Sequence, residues 1–382
     1  MRAGPKREVT AEPLDLTDLP ESGGERVVAF VERFLLVPKG TGAKRPLGLR
    51  PWQRRIVRGL FDEPRPRQGL VSIPRGNGKS TLAAALGLYG LPADDGEGAQ
   101  VLCVASDERQ ARIVFNAARR MVELNPQLAE RVQVFQDRLN LPGSDSTLAP
   151  LPAEPGALQG FDPSMCVVDE LHVVGAAVWE AMSLASGKRD RSMVRAISTP
   201  AADSESVMWK LVEHGRHGTD PAFYFREFAA PVGCDIADEE AWEAANPALD
   251  DFLHRDALRA TLRTSRESSF RRFRLGQWAG AEDTWLPDGA WEACLDRDRQ
   301  LEDGATVCLG FDGSYNGDVT ALVVASCADK PHVDVAQVWE RPEYAHGWEV
   351  PIVEVEDAIR DACRRSTVRE IVCDPFRWGR SM

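Results

Sequence analysis

Gly69-Leu70-Val71-Ser72-Ile73-Pro74-Arg75-Gly76-Asn77-Gly78-Lys79-Ser80-Thr81-Leu82-Ala83-Ala84-Ala85-Leu86 is the stretch that decides the fold of this chain. It reads as a buried strand over Leu70 to Ile73, a glycine-rich turn, and a helix opening at Lys79. Glycine lets the backbone approach phosphate oxygens, and the N–H groups of the turn and the helix N-terminus attract the anion. Lys79 is then placed for the β- and γ-phosphates of ATP, and the Ser80 hydroxyl for Mg²⁺. Gly76, Asn77, Gly78 and Thr81 complete the expected nucleotide-binding loop. The loop is a variant one, because the usual pattern has glycine where this chain has Ile73. Lysine is scarce and arginine is the default cation here, with seven lysines in 382 residues, so a lysine at this position is not casual.

Working outward, Pro51-Trp52-Gln53 opens an amphipathic helix upstream of the loop. Gln53 is a candidate for the adenine edge, its alternative being a solvated helix glutamine. Downstream, Ala99 to Ser106 is a second apolar strand. Leu141 to Pro155, rich in Pro, Gly and Ser, reads as a loop or hairpin. Met165-Cys166-Val167-Val168-Asp169-Glu170 is a third strand that ends in two carboxylates. An acid at the carboxyl end of a parallel strand beside such a loop holds the Mg²⁺ shell, and the next acid polarises the attacking water. Asp169 is assigned to the metal and Glu170 to the general base. Val194 to Pro200 is a fourth strand, ending in Ser198 and Thr199. Strand–helix alternation to this point predicts a doubly wound parallel sheet.

From about Ala201 to Asp303 the chain turns to helical patches rich in Trp, Arg and Glu. The run Phe270-Arg271-Arg272-Phe273-Arg274 is expected to bury its aromatics and leave its arginines in solvent, the alternative being a track along a nucleic-acid backbone. After Asp303 the order βββαβ appears, with Asp312 at the end of its first strand and Asp374 at the end of its last. That is the order of an RNase H-like nuclease, in which two such acids share divalent metals.

A net charge of −13 excludes a globally basic nucleic-acid coat but not a local basic face. Hydrophobic content of 43% and charged content of 27% fit a soluble globular protein. No apolar run approaches the ~20 residues that span a membrane, so a cytoplasmic protein with no membrane partner is expected. The eight cysteines form no Cys-x-x-Cys pair and read as reduced core thiols.

Taken in order, Pro51-Trp52-Gln53, Pro74 to Ser80, Ala105-Ser106 with Gln110-Ala111, Val167 to Glu170, Ser198-Thr199-Pro200, Ala245-Asn246-Pro247 and Gly310-Phe311-Asp312 resemble the large subunit of tailed-bacteriophage terminases. The resemblance implies an ATPase of the additional-strand P-loop class coupled to packaging of double-stranded DNA. It also implies a portal protein, a small terminase subunit and a homo-oligomeric ring as partners, and the bacterial host cytoplasm as location. By the same resemblance Arg75 stabilises γ-phosphate charge during hydrolysis, and the nuclease uses Mg²⁺ or Mn²⁺. The expected division is a mobile arm over 1–25, a P-loop ATPase domain over 26–215, a helical linker or lid over 216–302, and an RNase H-like domain over 303–382. The family carries a further strand and helices with another metal-binding acid beyond Asp374, so the nuclease domain is expected to be incomplete. Asp169-Glu170-Leu171-His172 also fits a DExH-type helicase, and a truncated prophage remnant without nuclease activity is the other alternative.

Overall fold

The computed structural model describes residues 9–94, 97–152, 160–185, 189, 191–202, 206–278, 290–296, 299–314, 319–340, 348–373 and 378. The chain divides into two compact units, Met1–Thr284 and Trp285–Met382.

The first unit is built on an eight-stranded sheet. Its strands are β1 (Gln68–Ser72), β2 (Gln100–Ala105), β3 (Gln133–Val134), β4 (Leu139–Leu141), β5 (Ser146–Pro152), β6 (Met165–Asp169), β7 (Met193–Ser198) and β8 (Phe223–Glu227). They stand in the order β3-β4-β5-β2-β6-β7-β1-β8. From β5 to β8 every pairing is parallel, and β3 and β4 extend the sheet as antiparallel ribbons. The insertion of β7 between β1 and β6 sets the carboxylate-bearing strand one place away from the phosphate-loop strand. That is the additional-strand arrangement.

Both sheet faces are covered, so the central strands are apolar at every position instead of alternating. In β6, Met165 and Val167 face one core with the helices Gly23–Phe34, Lys79–Gly90 and Glu108–Leu124. Cys166 and Val168 face the other, with Trp179, Met182, Met208 and Val212. The helix Lys79–Gly90 buries ten of its residues, and its alanines and glycines let it lie close to the sheet.

Leu141 to Pro155, expected as a loop or hairpin, carries β5, which forms a hairpin with β4 and in addition pairs parallel with β2. Its prolines Pro150 and Pro152 hide that second pairing from a propensity argument. Two features differ from the sequence reading. Phe223–Glu227 lies in the stretch expected to be helical but forms β8, because its aromatic residues suit a half-buried edge strand. The arm expected to be mobile is, over part of its described length, tied down: Thr10 N–H donates to Glu130 O at 2.8 Å, and Arg131 Nε donates to the carbonyls of Glu12 and Pro13.

The second unit carries β9 (Thr306–Asp312), β10 (Thr320–Ser326), β11 (Val333–Trp339), the helix Ile352–Arg365 and β12 (Thr367–Cys373). Its order is β11-β10-β9-β12, with β12 parallel to β9 and the others antiparallel. This is the βββαβ order read from the sequence. Val307, Leu309 and Phe311 alternate inward from β9 onto Val355, Ile359 and Trp378. Ile371 and Val372 on β12, which among the described residues pairs only with β9, are 38% and 60% exposed.

Gly59, in the helix Pro51–Phe61, shows how tightly β8 is seated. A Cβ there would lie 2.0 Å from the Tyr224 ring. Gly59→Ala gains up to ~1 kcal/mol in helix propensity but forces that ring aside, at ~1–3 kcal/mol. A net loss of stability in chemical denaturation is expected, with coupling above ~0.5 kcal/mol in a double-mutant cycle with Tyr224→Ala. An additive cycle would show the ring relaxes freely.

Candidate functional site

The phosphate loop depends on two left-handed glycines, Gly76 at φ 97° and Gly78 at φ 74°, the latter capping the helix Lys79–Gly90. Between them Asn77 is buried. Its side-chain amide donates to Pro74 O at 3.1 Å and Asn246 Oδ1 at 2.9 Å, and its Oδ1 accepts from Ala248 N–H at 3.1 Å. Asn246 in turn donates to Arg274 O at 2.8 Å. The loop is therefore locked to residues 246–274, not merely to its own strand and helix.

Ser80, in the first turn, donates its hydroxyl to Asp169 Oδ2 at 2.8 Å. Asp169, 4% exposed at the end of β6, has its carboxyl pushed above the usual range, first by burial and also by the neighbouring Glu170 charge. Lys79 is 7% exposed, with Nζ 3.4 Å from Ile73 O and 3.7 Å from Glu170 Oε1. Burial pulls its ammonium below the ordinary lysine value, with the two acids opposing. Thr81 follows in the same turn, half-buried.

Glu170 has φ 53°, a region that a residue with a Cβ seldom enters, and the turn aims its carboxylate back toward Lys79. His172 Nδ1 stands 3.1 Å from Glu170 Oε2, Thr199 Oγ1 donates to the same oxygen at 3.3 Å, and Ser198 Oγ accepts from His172 N–H at 3.0 Å. Burial alone would raise the Glu170 carboxyl; the His172 hydrogen bond, Lys79 and Arg75 outweigh it and lower the pKa to about 2. Its contribution to stability is present above the unfolded value of 4.5 and is lost as the pH falls toward 2.

Arg75 is exposed on the loop, its N–H bonded to Phe273 O at 2.9 Å and its guanidinium 3.7 Å from the centre of the Phe273 ring. Gln53 is 7% exposed, which removes the solvated alternative, and its Oε1 accepts from Arg50 N–H at 3.0 Å to cap its own helix. Arg75, Lys79, Ser80, Asp169 and Glu170 thus converge at the carboxyl ends of β1, β6 and β7.

A nucleotide and a divalent cation fit this donor set. The loop offers N–H groups and a buried cation, while Ser80 Oγ and the burdened Asp169 carboxylate are hard oxygen ligands. The second unit is different. Asp312 ends β9 in an exposed position and Asp374 lies outside the described residues. Among the described residues no group of three or more His, Cys, Asp and Glu could hold a metal ion.

Sequence reasoning missed His172 as the partner of Glu170, and Arg272, Phe273 and Arg274 as neighbours of the loop. The signal for His172 was its place two residues after Glu170 at a strand end. The arginines looked like a solvated helix face, and only the chain reversal after Asn246 brings them to the loop.

The fold and this site define an additional-strand P-loop ATPase unit followed by an RNase H-like unit. Residues 51–216 match the family model of the terminase large subunit ATPase domain, and residues 217–336 that of the terminase large subunit endonuclease domain. The large terminase subunit of Enterobacteria phage HK97 is 31% identical over 332 residues, covering 84% of this chain and 66% of that protein. The gene 13 protein of Mycobacterium phage D29 is 25% identical over 288 residues, covering 60% of this chain and 47% of that protein. The crystal structure of the HK97 large terminase aligns over 94% of this chain and 81% of that one, with a TM-score of 0.62 and 27% identity. The chain belongs to the terminase large subunit family.

The Glu170 geometry makes a direct prediction. Glu170→Gln keeps shape and burial but removes the charge, so ATP binding is expected to survive while turnover falls by ~10²-fold or more. Near-normal turnover, measured by phosphate release, would remove Glu170 from the chemistry.

Proposed function

We propose that this chain is a DNA-packaging motor, which couples ATP hydrolysis to movement of double-stranded viral DNA into a capsid shell and carries a C-terminal metal-dependent endonuclease. The observation that carries the ATPase reading is the convergence of Lys79, Ser80, Asp169 and Glu170, with the Ser80–Asp169 bond at 2.8 Å. In this reading Lys79 and the backbone of Gly76, Asn77, Gly78 and Thr81 hold the phosphates, Ser80 and Asp169 hold Mg²⁺, and Gln53 meets the adenine edge. The cation, when bound, neutralises phosphate charge. The reading divides the chain into an arm over 1–25, an ATPase domain over 26–215, a linker or lid over 216–302 and a nuclease domain over 303–382.

Against the opposing effect of burial, His172, Lys79 and Arg75 keep Glu170 ionised at neutral pH, so its carboxylate is available to orient the attacking water. His172 and Thr199 hold that carboxylate in place. Arg75 is assigned to the charge that develops on the γ-phosphate.

The portal protein, a small terminase subunit, a homo-oligomeric ring and the bacterial host cytoplasm belong to this proposal through the family. No helix among the described residues is long and apolar enough to cross a membrane. The helicase alternative requires a second RecA-like domain, whereas the second unit has βββαβ order. For the nuclease, Asp312 and Asp374 are assigned to Mg²⁺ or Mn²⁺.

Two assays test the reading. Arg75→Ala is expected to lower kcat with ATP affinity nearly unchanged, and Arg75→Lys not to rescue it, since only interactions stronger in the transition state accelerate chemistry. A loss confined to affinity would reduce Arg75 to a neutralising charge. In a plasmid-cleavage assay with Mg²⁺ or Mn²⁺, cleavage is expected to be lost in Asp312→Ala. Cleavage by that variant equal to that of the unchanged chain would remove Asp312 from the metal site.

A further inference from the structure

The helix Glu267–Arg274 ends against the phosphate loop, and three guanidinium groups meet there. Phe273 is the shared platform: Arg75 lies 3.7 Å and Arg272 4.1 Å from the centre of its ring. The Phe273 carbonyl accepts from Arg75 N–H at 2.9 Å, and Arg274 Nη1 donates to Arg75 O at 3.3 Å. His172, the partner of Glu170, meets the Phe273 ring edge-on at 6.4 Å. One aromatic ring thus touches the loop cation, the linker cation and the histidine that holds Glu170.

Arg272 is half-buried and, among the described residues, forms no ion pair with a carboxylate; its buried Nε has no hydrogen-bond partner. The bland account of arginines in a last helical turn is that they sit in water and favour the negative end of the helix. Arg272 is only partly in water, with its Nε buried, and its charge is opposed first by burial and then by Arg75. A half-buried cation stacked beside a like charge is arranged for an anion not supplied by its own neighbours. The side on which it stands identifies that anion. Arg75 acts electrostatically on Lys79 and Glu170, the end of the site where water attacks, whereas Phe252 and Arg50 lie together beside Gly78.

We infer that Arg272 is a second guanidinium for the terminal phosphate of a bound nucleoside triphosphate, delivered by the linker helix and stacked with Arg75 on Phe273. This rests on the ATPase reading above. Its consequence is that the helix Glu267–Arg274 distinguishes triphosphate from diphosphate, because a diphosphate leaves Arg272 without its anion. Phe273 is a positioning residue: it fixes both planes so that neither cation has to be ordered when the nucleotide arrives.

The test uses the full chain and fluorescent analogues of ADP and of a non-hydrolysable ATP. Arg272→Ala is expected to weaken the triphosphate analogue by about tenfold or more while ADP affinity stays within about twofold, the size of one charge-assisted contact. Arg272→Lys is not expected to restore the ratio, because an ammonium lacks the planar fork that stacks and binds bidentately. Arg272→Gln keeps the stem as far as Cδ and a polar end without the charge, and serves if the alanine variant folds poorly, since the ratio of the two affinities is read on the folded fraction. An unchanged ratio, with both nucleotides weakened alike or neither affected, overturns the inference. Lys79→Ala separates the two levels: lost binding of both nucleotides with an unchanged Arg272→Ala ratio removes only the role of Arg272. Retained binding in Lys79→Ala removes the ATPase reading and this inference with it.

Discussion

The bond between Ser80 Oγ and Asp169 Oδ2 joins the helix that follows β1 to β6, a strand separated from β1 by β7. Its geometry holds only if the helix Lys79–Gly90 starts where it does, and that start depends on Gly78 in a left-handed conformation. It also requires β6 to end at Asp169 in register with Ile197 of β7. A one-residue slip of β6 would exchange its two apolar faces and turn the carboxylate away from the loop. Met165 and Val167 pack in one core, Cys166 and Val168 in the other, and the ladders to β2 and β7 hold this register. Burial that stabilises the sheet thus also fixes the carboxylate.

The same burial makes the site electrostatically tense. Burial and the Glu170 charge push the Asp169 carboxyl up, Lys79 is desolvated beside two acids, and Glu170 is kept charged by its neighbours. Such opposed shifts in one cleft are typical of groups that wait for a ligand charge. Residues 246–274 add to the tension by bringing more cations. They hold their place through Asn77, Asn246 and the backbone of Arg274, so the loop and the region after β8 form one hydrogen-bonded body.

Much of this was legible in the sequence. Strands β1, β2, β6 and β7 are apolar runs bounded by turns, and a run buried on both faces declares itself without any partner. Lys79, Ser80, Asp169 and Glu170 were legible because the backbone chemistry of phosphate binding fixes their spacing. The parallel pairing of β5 with β2 and the strand β8 were not: β5 carries prolines and is held between β4 and β2, while β8 lies at the sheet edge beside β1. The surroundings of Glu170 were hidden for a related reason. The hydrogen bond from Thr199 to Glu170 depends on β6 and β7 lying side by side, which no local pattern states. The arginines of Glu267–Arg274 showed a normal amphipathic helix, and amphipathicity says which face is polar but not what that face meets.

The pairing of β8 with β1 has a mechanical side. Five residues of β8 run parallel to Gln68–Ser72, the strand that leads directly into the phosphate loop. A pull along β8 loads all the hydrogen bonds of this ladder together, in shear, whereas a pull across it would open them one after another. Tyr224, wedged where Gly59 leaves room, resists sliding between the strand and the helix Pro51–Phe61. Displacement of the chain beyond β8 is therefore transmitted to the root of the loop with little slack, as through a short stiff rod. A flexible tether at the same point would absorb the first few ångströms of any stroke; a strand does not.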